Sequence, residues 1–304
     1  MINLKKIVRI LLGALFMLSS IAKLSSMEGF ELYIYSFGFA SFDLCSFAAR
    51  FVVIAEFVMG LGLASGQYHR FFRILMALVL LAFSLFLLWR AAIGDTESCH
   101  CMGDVVDMNP VQSLLKNLFF GVLLLFSWTS EPRQWKCRKI ALISVCAAST
   151  AATFAVTPPD VFYRVGRTSD DLSVGEFKPV ADSLGLSEGR KVICFYSAGC
   201  EHCRHSAAKM AGIIRRNGLS PEYFPVVFMQ THENQDSVSV AFFKEFGEGL
   251  VLPSSYLHPY TFLPLTNGSM PLVVLFEDGN LIKEYDYISI NEKEISEFIN
   301  EKRR

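Results

Sequence analysis

Five long apolar runs, at residues 7–22, 48–66, 74–94, 111–128 and 140–156, fill the first half of this 304-residue chain. This feature constrains the fold most, because 52% of the residues are hydrophobic and only 19% are charged. Such an apolar excess has to face something other than water. Several runs have only 16 to 19 residues, at the short end of the roughly 17–25 that a spanning helix needs. Basic residues at their ends can snorkel to make up the difference. Beyond Thr157 charges, prolines and short alternating strands appear instead. The expected organisation is therefore a membrane bundle of four or five helices over residues 1–156, a linker and edge element over 157–184, and a soluble domain over 185–304. The fold class is an all-α transmembrane helical bundle followed by an α/β domain, and one expected partner is the lipid bilayer. A net charge of −1 gives no case for nucleic-acid binding.

Lysine and arginine set the orientation, because cytoplasmic segments carry the excess. With the N-terminus inside, the inner segments hold Lys5, Lys6, Arg9, Arg70, Arg73, Arg133, Lys136, Arg138 and Lys139. The outer helix ends hold only Lys23, Arg50, Arg90 and Lys116, so the bias is nine to four. The acidic segment from Asp95 to Asp104 then falls outside, as does everything after the fifth run. A multi-pass protein of the cytoplasmic (inner) membrane with its second domain on the periplasmic or outer side is the expectation. Lys5 and Lys6 before a short apolar stretch also read as a signal peptide, whose removal would leave four helices. The side on which the second domain lies is the same either way.

Lys23, Glu56, Arg90, Lys116 and Asn117 all map to the outer half of the bundle in this topology. An ionisable group at membrane depth is costly and usually faces a partner or a cavity. Two readings follow. In one, Glu56 pairs with Arg90 or Lys23 and fixes helix packing. In the other, these residues line a polar chamber beneath the Cys99-His-Cys101 segment that holds a quinone head group or relays protons. No other cofactor is expected.

Eight cysteines are spread along the chain, and two close pairs stand out: Cys99/Cys101 and Cys200/Cys203. This is not the dense pattern of a disulfide scaffold, and close pairs in a long chain suggest redox chemistry or metal binding. Ser19-Ser-Ile-Ala-Lys-Leu24, Ala55-Glu-Phe-Val-Met-Gly-Leu61, Cys99-His-Cys-Met-Gly103 and Asn117 together resemble the DoxX/MauE-type membrane proteins, over residues of about 7 to 130. The resemblance implies a small helical bundle with a Cys-x-Cys segment and a role in disulfide formation in exported proteins. Met102 departs from the pattern, standing where a Phe is expected.

In the second half, the run 192–196 is β-rich and Ser197-Ala-Gly199 turns out of it. A helix is expected from Cys203 to about Arg216, a strand over 223–229 and a helix over 237–247 with Val238, Ala241, Phe242 and Phe246 on one face. Met270-Pro271 leads into strand 272–276, Glu277-Asp-Gly-Asn280 turns, and 281–285 returns, a strong hairpin signal. A final amphipathic helix covers about 291–301. This order resembles the thioredoxin fold of exported TlpA- and DsbA-like proteins over residues 185–304. The resemblance implies a cis Met270–Pro271 bond lying against the active-site sulfurs. The absence of Pro after Cys200, and Met270 before Pro271, are departures.

The spacing of Cys200-Glu-His-Cys203 fits the chemistry. At a helix N-terminus, unpaired N–H groups and the helix dipole stabilise a thiolate, so Cys200 is the expected attacking sulfur. Cys203, one turn in, is placed to resolve a mixed disulfide. A protonated His202 would favour the Cys200 thiolate further, and the carboxylate of Glu201 would act the other way. Zinc usually needs a second ligand pair, and none follows in this domain, so no metal is expected there. Cys194 reads as a core residue and Cys146 as helix packing. Cys137 is expected to face the cytoplasm, and Cys45 lies near the outer surface.

The function expected is a membrane-anchored thiol–disulfide oxidoreductase acting on exported cysteine-containing proteins. A relay between Cys99/Cys101 and Cys200/Cys203 would connect it to a quinone or another acceptor. Three rivals remain, one of them a non-catalytic role with the membrane half as an anchor or assembly partner. Cys99-His-Cys-Met102 and Cys200-x-His-Cys-x-His205 offer soft ligands suited to Cu(I) delivery. A reductant fed across the membrane would instead want a cysteine pair within the helices, which the lone Cys146 does not supply.

Overall fold

The computed structural model describes residues 4–66, 69–92, 94, 108–127, 138–164, 177–231, 235–247 and 249–301. The chain divides into two units, residues Met1–Tyr33 with Ser46–Pro158, and Ile34–Cys45 with Pro159–Arg304. It is a bundle of apolar helices followed by a mixed α/β sheet domain, as the hydropathy pattern indicates.

The first unit is built from α1 (Leu4–Ser25), most of α2 (Met27–Tyr35) and of α3 (Phe42–Ser65), α4 (His69–Ala92), α5 (Pro110–Phe126) and α6 (Arg138–Val156). Among the described residues four helices are long and apolar enough to cross a bilayer, within Leu4–Ser25, Phe42–Ser65, Arg70–Ala92 and Lys139–Val156. The chain is thus a multi-pass membrane protein. The fifth expected span is shorter, at 17 residues, or about 25 Å of helix against a hydrocarbon core of about 30 Å. Local chemistry sets its start. Asn109 accepts from the Gln112 N–H at 2.9 Å while Gln112 Oε1 accepts from the Asn109 N–H at 3.0 Å, and Pro110 occupies the first turn. That capping box satisfies donors the helix itself leaves open.

Leu12, Phe16, Met59, Leu63, Phe72, Met76, Leu80 and Leu124 form the bundle core. Helices α1 and α3 meet at Gly13 and Gly60, where a Cβ on either glycine would press on the other's carbonyl oxygen at 2.5 and 2.7 Å. Small residues at such crossings let backbones approach closely. Nearby, the Ser20 hydroxyl donates to Val53 O at 2.8 Å. The opposite progression of these two contact pairs makes α1 and α3 antiparallel neighbours. Leu11, Leu18, Leu81, Leu85, Leu115 and Ile143 are more than half exposed, the surface lipid requires.

The second unit carries α7 (Asp160–Arg164), α8 (Phe177–Ser183), β1 (Arg190–Tyr196), α9 (Glu201–Arg216), β2 (Val226–Met229), α10 (Gln235–Phe246), β3 (Ser254–Leu257), α11 (Pro259–Leu265), β4 (Leu272–Glu277), β5 (Asn280–Tyr285) and α12 (Glu292–Asn300). The sheet order is β3-β2-β1-β4-β5. The pairs β1/β2 and β2/β3 are parallel, and β1/β4 and β4/β5 are antiparallel. Asp278 (φ 46°) and Gly279 (φ 88°) close the β4–β5 hairpin, the Asp-Gly pairing that a two-residue turn favours. One sheet face packs Ile193, Phe195, Val227, Val274 and Phe276 on Phe177, Ala181 and Phe262. On the other, Tyr196 and Phe228 meet Phe242 at ring distances of 5.9 and 5.3 Å.

The structure refines two element starts and adds two elements to the sequence expectation. Helix α9 begins at Glu201 with Cys200 as its cap, which is the helix start expected at Cys200, although its first turn reaches ahead of Cys203. The second strand begins at Val226, since Pro221–Tyr223 form a 3-10 turn ahead of it. The pair β3 and α11 was not expected. Every residue of β3 is half-buried with no alternation, and α11 contains Pro264 in its interior, which argues against a helix by propensity.

The second unit also takes in Ile34–Cys45. Tyr35 sits against Gly212, where any Cβ would collide with its ring. Glu292 gathers this region: its carboxylate accepts from the Tyr35 hydroxyl at 3.3 Å, the Phe42 N–H at 3.2 Å and Asn217 Nδ2 at 3.1 Å, and it pairs with Arg216. Arg164 forks onto Asp43 at 2.7 and 2.9 Å.

Candidate functional site

The last strand residue before the motif, Tyr196, is buried and shares a hydrogen bond of 3.0 Å with Ser206. Burial pushes its phenol well above the ordinary value, so it stays neutral. The chain then turns through Ser197, Ala198 and Gly199 to Cys200, whose extended backbone (φ −90°, ψ 120°) makes it the N-cap of α9. Its Sγ accepts from the Cys203 N–H at 3.3 Å. A cap sulfur in this place meets the open donors and the positive end of the helix dipole.

Cys203 differs from its neighbour. It is fully buried, while Cys200 is partly exposed. Burial pushes the Cys203 thiol up, and the hydrogen bond with Cys200 adds to this, against a lowering contribution from the Ser197 N–H, which donates to its sulfur at 3.5 Å. Met270 O lies 3.8 Å from Cys200 Sγ, within reach of its S–H, and the Met270–Pro271 peptide is cis. The residues singled out in this half, Cys200, Cys203, His202 and Pro271, are therefore gathered around one strand-to-helix turn. The arrangement supports thiol–disulfide exchange, with one accessible sulfur and a second, protonated one behind it.

His202 is exposed, and its ring stacks on Tyr287 with centroids 4.2 Å apart and planes 12° from parallel. The Tyr287 carbonyl accepts from Lys209 Nζ at 2.8 Å, and Asp160 accepts from the same nitrogen at 2.6 Å. Lys209 is buried, with its ammonium 4.3 Å from the Phe42 ring centroid. Sequence reasoning missed this set. One signal was available: Lys209 interrupts Ala207-Ala-Lys-Met-Ala211, a small apolar stretch on a helix that has to pack. Cys194 is buried in β1 with its thiol pushed up to about 12 by burial, as an inert core residue should be.

In the membrane unit, Lys23 Nζ meets Glu56 Oε2 at 2.6 Å and Ser19 Oγ at 3.0 Å, and the Ser19 hydroxyl donates to Glu56 Oε1 at 2.9 Å. Of the two partners considered for Glu56, the helix packing supplies Lys23. Arg90 lies instead 5.2 Å from the Tyr33 ring centroid. Asn117 donates to Ser84 at 3.4 Å. Cys99, His100 and Cys101 lie outside the described residues, as does Cys137.

Comparison with known proteins gives two likenesses. The chain is 23% identical over 343 residues to Protein TlpB of Flavobacterium psychrophilum, covering 93% of this chain and 91% of that protein. Residues 1–130 match the family model described as methylamine utilisation protein MauE.

Proposed function

We propose that this protein is a membrane-anchored thiol–disulfide oxidoreductase whose second unit is thioredoxin-like and works outside the cytoplasm on exported cysteine-containing proteins. The observation that carries the reading is Cys200 at the N-cap of α9, backed by the buried Cys203 thiol and faced by the Met270 carbonyl. A thiolate attacks a disulfide sulfur, displaces the other as a thiolate, and leaves a mixed disulfide. The second cysteine of the motif then closes the Cys200–Cys203 bond and releases the partner as a dithiol. Run in reverse, the same steps pass a disulfide to the partner. The Met270 carbonyl supplies an acceptor beside the sulfur for a partner's backbone N–H. The charge bias of nine basic residues to four supports the outward side, and the MauE-like match over residues 1–130 supports the membrane role.

Cys99 and Cys101 form the second redox pair of the reading. A disulfide across one intervening residue closes a small ring far from relaxed geometry, which makes it easily reduced. It is the natural acceptor for electrons from the Cys200/Cys203 dithiol, and a shared chain raises its effective concentration. Trapping tests both parts. In membranes carrying Cys203→Ser, Cys200 should hold its partner as a mixed disulfide visible on a non-reducing gel. Loss of that species on adding Cys99→Ser and Cys101→Ser assigns the relay. Capture of external proteins alone refutes the relay and keeps the exchange, and capture of nothing refutes both.

A further inference from the structure

A cavity of about 520 Å³ opens within the membrane unit, bounded by α1, α2, α3, α4 and α5. Its walls are mostly aromatic and aliphatic, among them Phe16, Met59, Leu80, Phe83 and Phe120. Against this apolar lining stands the hydrogen-bonded cluster Ser19, Lys23 and Glu56, with Lys116 and Asn117 contributed by α5. The side chains of Lys23 and Glu56 are only 7% and 14% exposed. Burying such a pair in a bilayer is costly, and nothing about helix packing requires it to line an open space.

The cavity's rim indicates where a ligand would enter. Phe51 and Val79 line it while 72% and 41% exposed, on the apolar outer surfaces of α3 and α4. Access is therefore from lipid rather than water. A lipid acyl chain would fill the apolar walls but has no use for the polar cluster. Water could meet the polar cluster but has no use for the apolar walls. A flat apolar ring bearing carbonyl oxygens uses both. An ammonium has three donors; Ser19 and Glu56 take two of those of Lys23, and a third is available to a ligand oxygen. The volume falls within the roughly 300–1,000 Å³ of small-molecule sites.

The structure assigns this cavity to a quinone that enters from the bilayer, its ring between the aromatic walls and a carbonyl oxygen on Lys23. The site also has a fitting place in the chain. Helices α4 and α5 are joined by the segment that carries Cys99 and Cys101. Phe86 and Lys116, both cavity residues, each lie about 9 Å of helix from the ends of that connection. The redox role rests on the thiol–disulfide reading. Oxidation of the Cys99/Cys101 dithiol to a disulfide releases two electrons and two protons, and the quinone takes up both to become the quinol.

Full-length protein in nanodiscs of synthetic lipid, titrated with ubiquinone-1, tests the site. Saturable binding of one quinone per chain is expected. Lys23→Met should weaken it roughly tenfold, the loss of one hydrogen bond from a charged group, and Glu56→Gln should weaken it less, by loosening the hold on Lys23 Nζ. Either variant could disturb folding, so Ala82→Trp provides the independent check. Residue 82 is an exposed residue that lines the cavity, and a bulky ring there should exclude the quinone while helix content is unchanged. Uptake no greater than in empty nanodiscs, or wild-type binding by Ala82→Trp, overturns the assignment. Saturable binding without quinol formation by dithiol-form protein keeps the site and refutes the redox reading. Thiol exchange by a chain that binds no quinone does the reverse.

Discussion

The two units of this protein solve the problem of buried charge in opposite ways. In the membrane unit Arg9, Lys23, Glu31, Arg50, Arg73 and Arg90 are buried while leucines and phenylalanines cover the outside. Glu31 pairs with Arg50, which also donates to Ser46 O at 2.8 Å and Thr157 O at 2.6 Å. In the sheet unit the core is aromatic and aliphatic, and most ion pairs lie near the surface, such as Lys283 with Glu294 at side-chain exposures of 34% and 40%. Lys209 with Asp160 is a more buried pair among the described residues, and it underlies the His202–Tyr287 stack. The difference follows from the solvent. Lipid accepts an exposed leucine and rejects an exposed charge, and water reverses that preference.

The largest effect that could break this comparison belongs to the Lys23–Glu56 pair. Glu56→Leu should destabilise the membrane unit by about 3–5 kcal/mol, because it strands a buried ammonium. The double variant Lys23→Met/Glu56→Leu should recover most of that loss. Lys283→Ala, removing a half-exposed partner, should change stability by less than about 1 kcal/mol. Pulse proteolysis of the full chain in detergent reports all three, and equal losses in the two units would end the contrast.

Next in size is the crossing of α1 and α3. Gly60→Leu forces the backbones apart and should cost about 1–3 kcal/mol by overpacking, read as a lowered midpoint of thermal unfolding. A smaller change is expected at the redox turn. Tyr287→Ala removes a ring stack worth about 0.5–1.5 kcal/mol and frees the His202 ring. The midpoint of urea unfolding should fall by a matching amount, and an unchanged midpoint would show that the stack carries no weight.

The smallest predicted effect concerns the Cys194 thiol, whose folded pKa of about 12 stands above the unfolded value. The folded form then holds its proton more tightly. Its contribution is fully present below the unfolded pKa and declines as pH rises toward 12. Around pH 9 the loss should be roughly half a kcal/mol, and Cys194→Val should flatten that slope in urea unfolding.

Much of this protein could be read from its residues alone. Apolar runs too long for a soluble core require a bundle in lipid, the alternating second half requires a sheet, and Glu277-Asp-Gly-Asn280 requires a hairpin. Cys-x-x-Cys after a strand put Cys200 at a helix start, and the Cys203 N–H bonded to its sulfur is that geometry. These are local properties, set by periodicity, turn chemistry and open N–H groups within a few residues. Other features depended on which distant surfaces meet. Glu56 had two basic candidates within reach of its helix, and the antiparallel register set at Gly13 and Gly60 brought Lys23 to it. Tyr287 lies on His202, and Asp160 on Lys209, across separations no local pattern spans. Residues 34–45 belong with the sheet unit because Glu292 collects their free donors. Local chemistry decides what each segment becomes, and packing decides which of several chemically adequate partners it meets.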